Sequence, residues 1–145
     1  NHHVFESSLP SKFITLVVCE LDPRSHRITF LNAGHNQGLL IAADGSARYL
    51  GASGLPLGLM PKSSYRMDEV EIGPGELLCL YSDGITECSD PTGEELGLAR
   101  LVQSLEDHPA RSLTELLASL VDQVTRFAGD APQGDDQTLV MVRRL

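Results

Sequence analysis

Leu77-Leu78-Cys79-Leu80-Tyr81-Ser82-Asp83-Gly84 is an apolar run that ends in an acidic turn. Gly134-Asp135-Asp136-Gln137-Thr138-Leu139-Val140-Met141-Val142 reverses it, an acidic turn that opens an apolar run. A strand holds a terminal carboxylate more rigidly than a free loop does. Two strands of one sheet would bring these corners together and aim hard oxygen ligands at one divalent cation. Asp83 and one of the pair Asp135 and Asp136 are the candidate ligands. Gly84 lets the backbone turn sharply and lets a ligand or water come close. Asp135 and Asp136 point to opposite sides of an extended backbone, so one is a ligand candidate and the other a partner or cap. The same dipeptides are ordinary turn formers, and the chain carries 20 acidic residues in 145. Spacing alone leaves both readings open.

Strand patterns dominate upstream of this pair. Phe13 to Leu21 (FITLVVCEL) is apolar at nearly every position, which predicts a strand buried on both faces. Asp22-Pro23-Arg24-Ser25 turns the chain into His26 to Leu31. Asn32-Ala33-Gly34-His35-Asn36 interrupts, Gly38 to Ala42 resumes, and Asp44-Gly45 signals a hairpin into Ala47 to Leu50. These pieces read as one antiparallel meander. Gly51 to Lys62 is a loop rich in glycine and proline, Tyr65 to Ile72 alternates as a strand, and Pro74-Gly75 turns into the strand that ends at Asp83.

Helical periodicity follows. Leu98, Leu101, Val102 and Leu105 make one stripe over Gly97 to Glu106. Leu113, Leu116, Leu117, Leu120, Val121, Val124 and Phe127 make a longer one, opened by a Ser112/Glu115 capping box and stopped at Gly129. The expectation is a single α+β domain over 1–145, strand-rich over 12–83, helical over 97–128, with a closing strand over 138–143.

Composition narrows the function. A formal net charge of −9 argues against nucleic acid, whose backbone calls for clustered Lys and Arg. It leaves a phosphorylated substrate open, because a bound cation reverses the local field. Cys19, Cys79 and Cys88 show no Cys-x-x-Cys spacing. Cys19 and Cys79 read as small buried hydrophobes, and a cytoplasmic location is the default. No apolar run reaches the roughly 20 residues that span a bilayer. Thr15, polar amid FITLVV, is a candidate to line a site. His35, in the compact polar break Asn32 to Asn36, is a candidate proton donor or ligand, or simply a turn residue. No Gly-x-Ser-x-Gly or P-loop pattern supports covalent serine catalysis or nucleotide cradling.

Taken in order, FIT (13–15), LNAGHN (31–36), GLPLGL (54–59), PGELLCLYSDGITE (74–87) and GDDQTLVMV (134–142) resemble the metal-dependent PPM-type serine/threonine phosphatases. The nearest branch is the bacterial one typified by the stage II sporulation protein E and the stress-response phosphatases. Ser82 stands where Thr is commoner. The resemblance implies an α-β-β-α sandwich of mostly antiparallel sheets with a site for two Mn²⁺ or Mg²⁺ ions. It implies that Asp83 and Asp135 ligate the same metal, with Gly84, Asp136, Thr15, Asn32, Gly34 and His35 around them. The reaction it implies is hydrolysis of phosphoserine or phosphothreonine by a metal-activated water, without a phosphoenzyme. The substrate it implies is a phosphorylated regulator of the anti-anti-sigma type.

One element of the family pattern has no counterpart. The family's Gly-Asp-x-x-Asp motif, source of the metal-bridging carboxylate, has no match in 1–12 (NHHVFESSLPSK), and His2 and His3 do not offer carboxylate oxygen. The expectations are therefore a catalytic domain incomplete at its N-terminus, weak or absent activity of residues 1–145 alone, and uncovered sheet edges or faces that invite homodimers or aggregation. The rival reading is a non-catalytic regulatory or partner-binding module on the same scaffold.

Overall fold

The computed structural model describes residues 1–9, 11–107 and 111–145. Residues 108–110 of the expected helical stretch thus lie outside the described residues. The elements are α1 (His2–Ser7), β1 (Leu16–Asp22), β2 (Arg27–Ala33), β3 (Gly38–Ile41), β4 (Ala47–Leu50) and β5 (Asp68–Glu71). There follow β6 (Leu77–Tyr81), α2 (Asp83–Thr86), α3 (Gly97–Glu106), α4 (Leu113–Ala128) and β7 (Leu139–Arg143). They fall into two compact units, Asn1–Gln37 with Leu50–Ile72, and Gly38–Tyr49 with Gly73–Leu145.

The first unit is a three-stranded antiparallel sheet in the order β1-β2-β5. Its register runs from Leu16 opposite Ala33 to Asp22 opposite Arg27, then from Arg27 opposite Glu71 to Phe30 opposite Asp68. Central β2 alternates, burying Ile28, Phe30 and Asn32 while Thr29 and Leu31 stay partly open. The expectation of double burial for Phe13 to Leu21 is corrected here. β1 is an edge strand, and Leu16, Val18 and Leu21 are 38%, 49% and 42% exposed. Cys19 is only half-buried. An apolar run records what a strand needs covered, and an edge position leaves part of that need unmet.

The second unit is a four-stranded sheet in the order β4-β3-β6-β7. The single meander expected for the first four strands is therefore divided between two sheets, β1 and β2 in one and β3 and β4 in the other. The polar break at Asn32 to Asn36 is where the chain changes sheet. Leu77, Cys79 and Tyr81 of β6, spaced by two, share a core with Leu39 and Ile41 of β3. Leu101, Val102 and Leu105 of α3 and Leu116, Leu120 and Val124 of α4 cover them at helical spacing. Leu116 is fully buried, so truncation to Ala there costs about 2–5 kcal/mol. Burial also pushes the Cys79 thiol up to about 12, leaving it an inert hydrophobe.

Both helix readings hold. α4 starts on the expected capping box: the Glu115 N–H donates to Ser112 Oγ (3.3 Å) and the Ser112 N–H donates to Glu115 Oε2 (3.0 Å), and Gly129 is its C-cap. The strand expected over Tyr65 to Ile72 shortens to β5. The short helices α1 and α2 carry no periodicity long enough to read, and neither was expected. Among the described residues no helix is long and apolar enough to cross a membrane.

Candidate metal centre

β6 and β7 are antiparallel neighbours with Tyr81 opposite Leu139, so the end of one strand meets the beginning of the other. Asp83, Gly84, Asp135 and Asp136 consequently gather at one end of this pair. Ser82 is the fastener. Its Oγ donates to the Asp136 carbonyl (2.8 Å) and accepts from the Thr138 N–H (2.9 Å), while its own N–H donates to the Thr138 carbonyl (3.1 Å). One side chain and one backbone group thus tie the first acidic turn to the second. Sequence reasoning gave Ser82 no role beyond its likeness to Thr. The available signal was a hydroxyl between a strand and an Asp-Gly turn.

Gly84 is required by contact as well as by turning. A Cβ there would lie 2.4 Å from the Asp136 carbonyl oxygen and 3.3 Å from the Asp135 carbonyl carbon. The two backbones touch only because position 84 has no side chain. Each aspartate commits one oxygen locally. Asp83 Oδ1 accepts from the Gly84 N–H (3.0 Å) and Asp135 Oδ1 from the Asp136 N–H (2.7 Å). Their Oδ2 atoms accept nothing from the described residues, and both side chains are exposed. Two carboxylates with an open oxygen each are the donor type a hard divalent cation takes, so the residues present fit Mn²⁺ or Mg²⁺. They are two ligands of a larger set. Among the described residues no group of three or more His, Cys, Asp or Glu is arranged to hold a metal alone.

The other expected site residues form a network inside the first unit. Asn32 is fully buried, and its Nδ2 donates to the Asn36 carbonyl (3.1 Å) while its Oδ1 accepts from the His35 N–H (2.8 Å). Its backbone N–H donates to Ser53 Oγ (3.1 Å), and its carbonyl accepts from the Ser53 N–H (2.9 Å). Gly34 sits at φ +70°, where a Cβ would lie 2.4 Å from the Pro56 ring. Thr15 Oγ1 and His35 Nδ1 are 3.0 Å apart in a hydrogen bond, which fixes the imidazole. Ser53, which completes this turn, was legible only as a loop residue, and Pro56 as part of the GLPLGL motif without a role.

Beside the acidic corner, still within the second unit, lies a cleft of about 400 Å³. Gly84, Glu87 and Cys88 line one side, Val124 and Ala128 of α4 another, and the 131–135 segment a third. Cys88 Sγ lies 4.0 Å from the Val124 carbonyl.

The match to known proteins agrees with this geometry. The model of the stage II sporulation protein E (SpoIIE) family matches residues 1–145, the whole sequence. The chain belongs to this family. It is 31% identical over 132 residues to Protein IcfG of Synechocystis sp., covering 91% of this chain and 21% of that protein. It is 31% identical over 137 residues to the phosphoserine phosphatase RsbU of Bacillus subtilis, covering 92% of this chain and 40% of RsbU. The chain thus spans between about a fifth and two fifths of these curated relatives. Among solved structures, the SiaA-PP2C domain of Pseudomonas aeruginosa superposes with a TM-score of 0.82 at 25% identity, covering 96% of this chain and 55% of that one. The SpoIIE phosphatase domain of Bacillus subtilis superposes at 0.71 with 22% identity, covering 99% and 62%. The α+β fold of mostly antiparallel sheets implied by the resemblance is the fold of these domains.

Proposed function

We propose that the protein removes phosphate from phosphoserine or phosphothreonine of a bacterial regulatory protein of the anti-anti-sigma type, with Asp83 and Asp135 holding Mn²⁺ or Mg²⁺. The observation that carries this reading is the Ser82 clamp, which binds the two acidic turns into one corner with an open carboxylate oxygen on each side. Family membership and the phosphoserine phosphatases among the relatives support it. Bound at this corner, the cation supplies Lewis-acid polarisation of the phosphoryl oxygens and a nucleophilic water. The chain's own part is to orient. Ser82 holds the Asp136 carbonyl and the start of β7, and Gly84 admits the close backbone approach that fixes Asp83 against Asp135. The aspartates' local N–H bonds pre-aim the carboxylates. Further ligands, including the carboxylate the family uses as a bridge, are required to complete a two-metal shell.

The test is phosphate release from a phosphoserine protein by the full-length protein, with and without Mn²⁺. Release that needs the cation and vanishes in Asp83→Asn is expected; full release by Asp83→Asn overturns the proposal. One observation favours a second reading, a partner-binding module that does not hydrolyse: the corner offers two carboxylates and no third ligand among the described residues. Calorimetric Mn²⁺ binding without any phosphate release would select that reading.

A further inference from the structure

Glu87 closes the Asp-Gly-x-x-Glu segment of the site motif, yet the acidic corner gives it no task. It lies on the wall of the 400 Å³ cleft, in the size range of ligand pockets. The cleft's charge is one-sided. Glu87 and Asp135 line it, and no Lys, Arg or His does. The C-terminal end of the 16-residue helix α4 adds the negative pole of its dipole at Thr125, Ala128 and Gly129. Nearby Asp90 is already engaged, since its Oδ1 accepts from Thr92 N–H, Thr92 Oγ1 and Glu94 N–H. Glu87 has no ion-pair partner among the described residues. The remaining wall at Val124, Ala128 and Pro132 is apolar, which suits a methylene stem beneath a charged head.

Gly84 and Asp135 belong to both the cleft and the corner. Whatever fills the cleft therefore sits directly beside the group held at the corner. Asp135 is committed to the corner, which leaves Glu87 as the carboxylate free to read a neighbour. We infer that the cleft is a specificity subsite for a lysine or arginine side chain of the protein substrate, flanking its phosphorylated residue, and that Glu87 is the residue that reads it. This rests on the phosphatase reading and adds a substrate preference to it.

The experiment uses the full-length protein and two phosphoserine peptides that differ only in carrying Lys/Arg or Ala beside the phosphoserine. Hydrolysis is followed with Mn²⁺, and binding by fluorescence anisotropy in EDTA, where there is no turnover. The basic peptide should be preferred about fivefold through KM, as for a partly exposed charge pair. Glu87→Gln should abolish that preference in both assays while leaving turnover of p-nitrophenyl phosphate unchanged. Thr125→Lys, which puts a competing cation on an exposed helical position of the same wall, should do likewise if Glu87→Gln folds poorly. Equal use of the two peptides by the wild type, or a preference that survives both substitutions, overturns the subsite and leaves the phosphatase reading intact. Absent hydrolysis of every substrate, with an anisotropy preference that Glu87→Gln removes, overturns the phosphatase reading and keeps the subsite.

Discussion

The acidic corner at Asp83/Asp135 and the polar turn at Asn32 to Asn36 are both breaks in apolar strands, and they treat their polar atoms in opposite ways. At the turn every polar group of Asn32 is buried and satisfied: amide nitrogen, amide oxygen, backbone N–H and carbonyl all have partners. At the corner only one oxygen of each aspartate is satisfied, and the other faces solvent. A saturated network rigidifies a fold, because losing one member strands the rest in a low-dielectric interior. An unsaturated one keeps valence for something that arrives. The difference separates a polar cluster that holds structure from one that is open to chemistry, although both look alike in sequence.

The sharpest way to break this contrast is at the ligands. Asp83→Asn and Asp135→Asn should each lower phosphate release by more than the roughly 10–100-fold that loss of a metal ligand's outer partner costs, with thermal unfolding little changed. A large loss of stability with activity retained would reverse the assignment. Gly84→Ala comes next. Its methyl would meet the Asp136 carbonyl oxygen at 2.4 Å, so the strand ends must separate, at about 1–3 kcal/mol of overpacking. Denaturant melts and Mn²⁺ calorimetry should both register it, the second more strongly. Asn32→Ala should do the converse. It strands the His35 N–H and the Asn36 carbonyl and should cost about 1–3 kcal/mol in a denaturant melt, with Mn²⁺ affinity at the corner unaffected. Ser82→Ala is the mildest, about 0.5–1.5 kcal/mol, and Ser82→Thr should restore the loss because it keeps the hydroxyl that bridges Asp136 and Thr138. Failure of Thr to rescue would mean that the clamp depends on shape rather than on hydrogen bonding.

Much of the fold was legible where one local rule dominates. The Leu116-Leu120-Val124 stripe and the Ser112/Glu115 box set α4 without reference to anything distant. The two acidic corners read correctly as strand ends because β6 is apolar up to the turn and β7 is apolar after it. What could not be read is which strand pairs with which. The run from Phe13 to Leu21 is as apolar as a central strand, yet β1 has a neighbour on one side only, and nothing in its own residues records that. The sheet change at Asn32 to Asn36 depends on Ser53, some 20 positions away, for three of its hydrogen bonds. The cleft beside Glu87 draws its walls from α2, α4 and the 131–135 segment, a combination no linear spacing encodes. Among the motifs, only their order along the chain carried long-range information.

Gly34 and Pro56 show what such distant dependence means for how this sequence can drift. At φ +70° position 34 accepts Gly and, at some strain, Asn or Asp. Yet any Cβ there would meet the Pro56 ring at 2.4 Å, so even a permitted residue cannot enter while the proline stands. Nor would losing the ring suffice, because the backbone nitrogen of residue 56, 22 positions on, would still lie 2.8 Å from that Cβ. In an alignment of relatives, position 34 should therefore stay glycine whichever residue occupies 56, while 56 itself can vary beneath it.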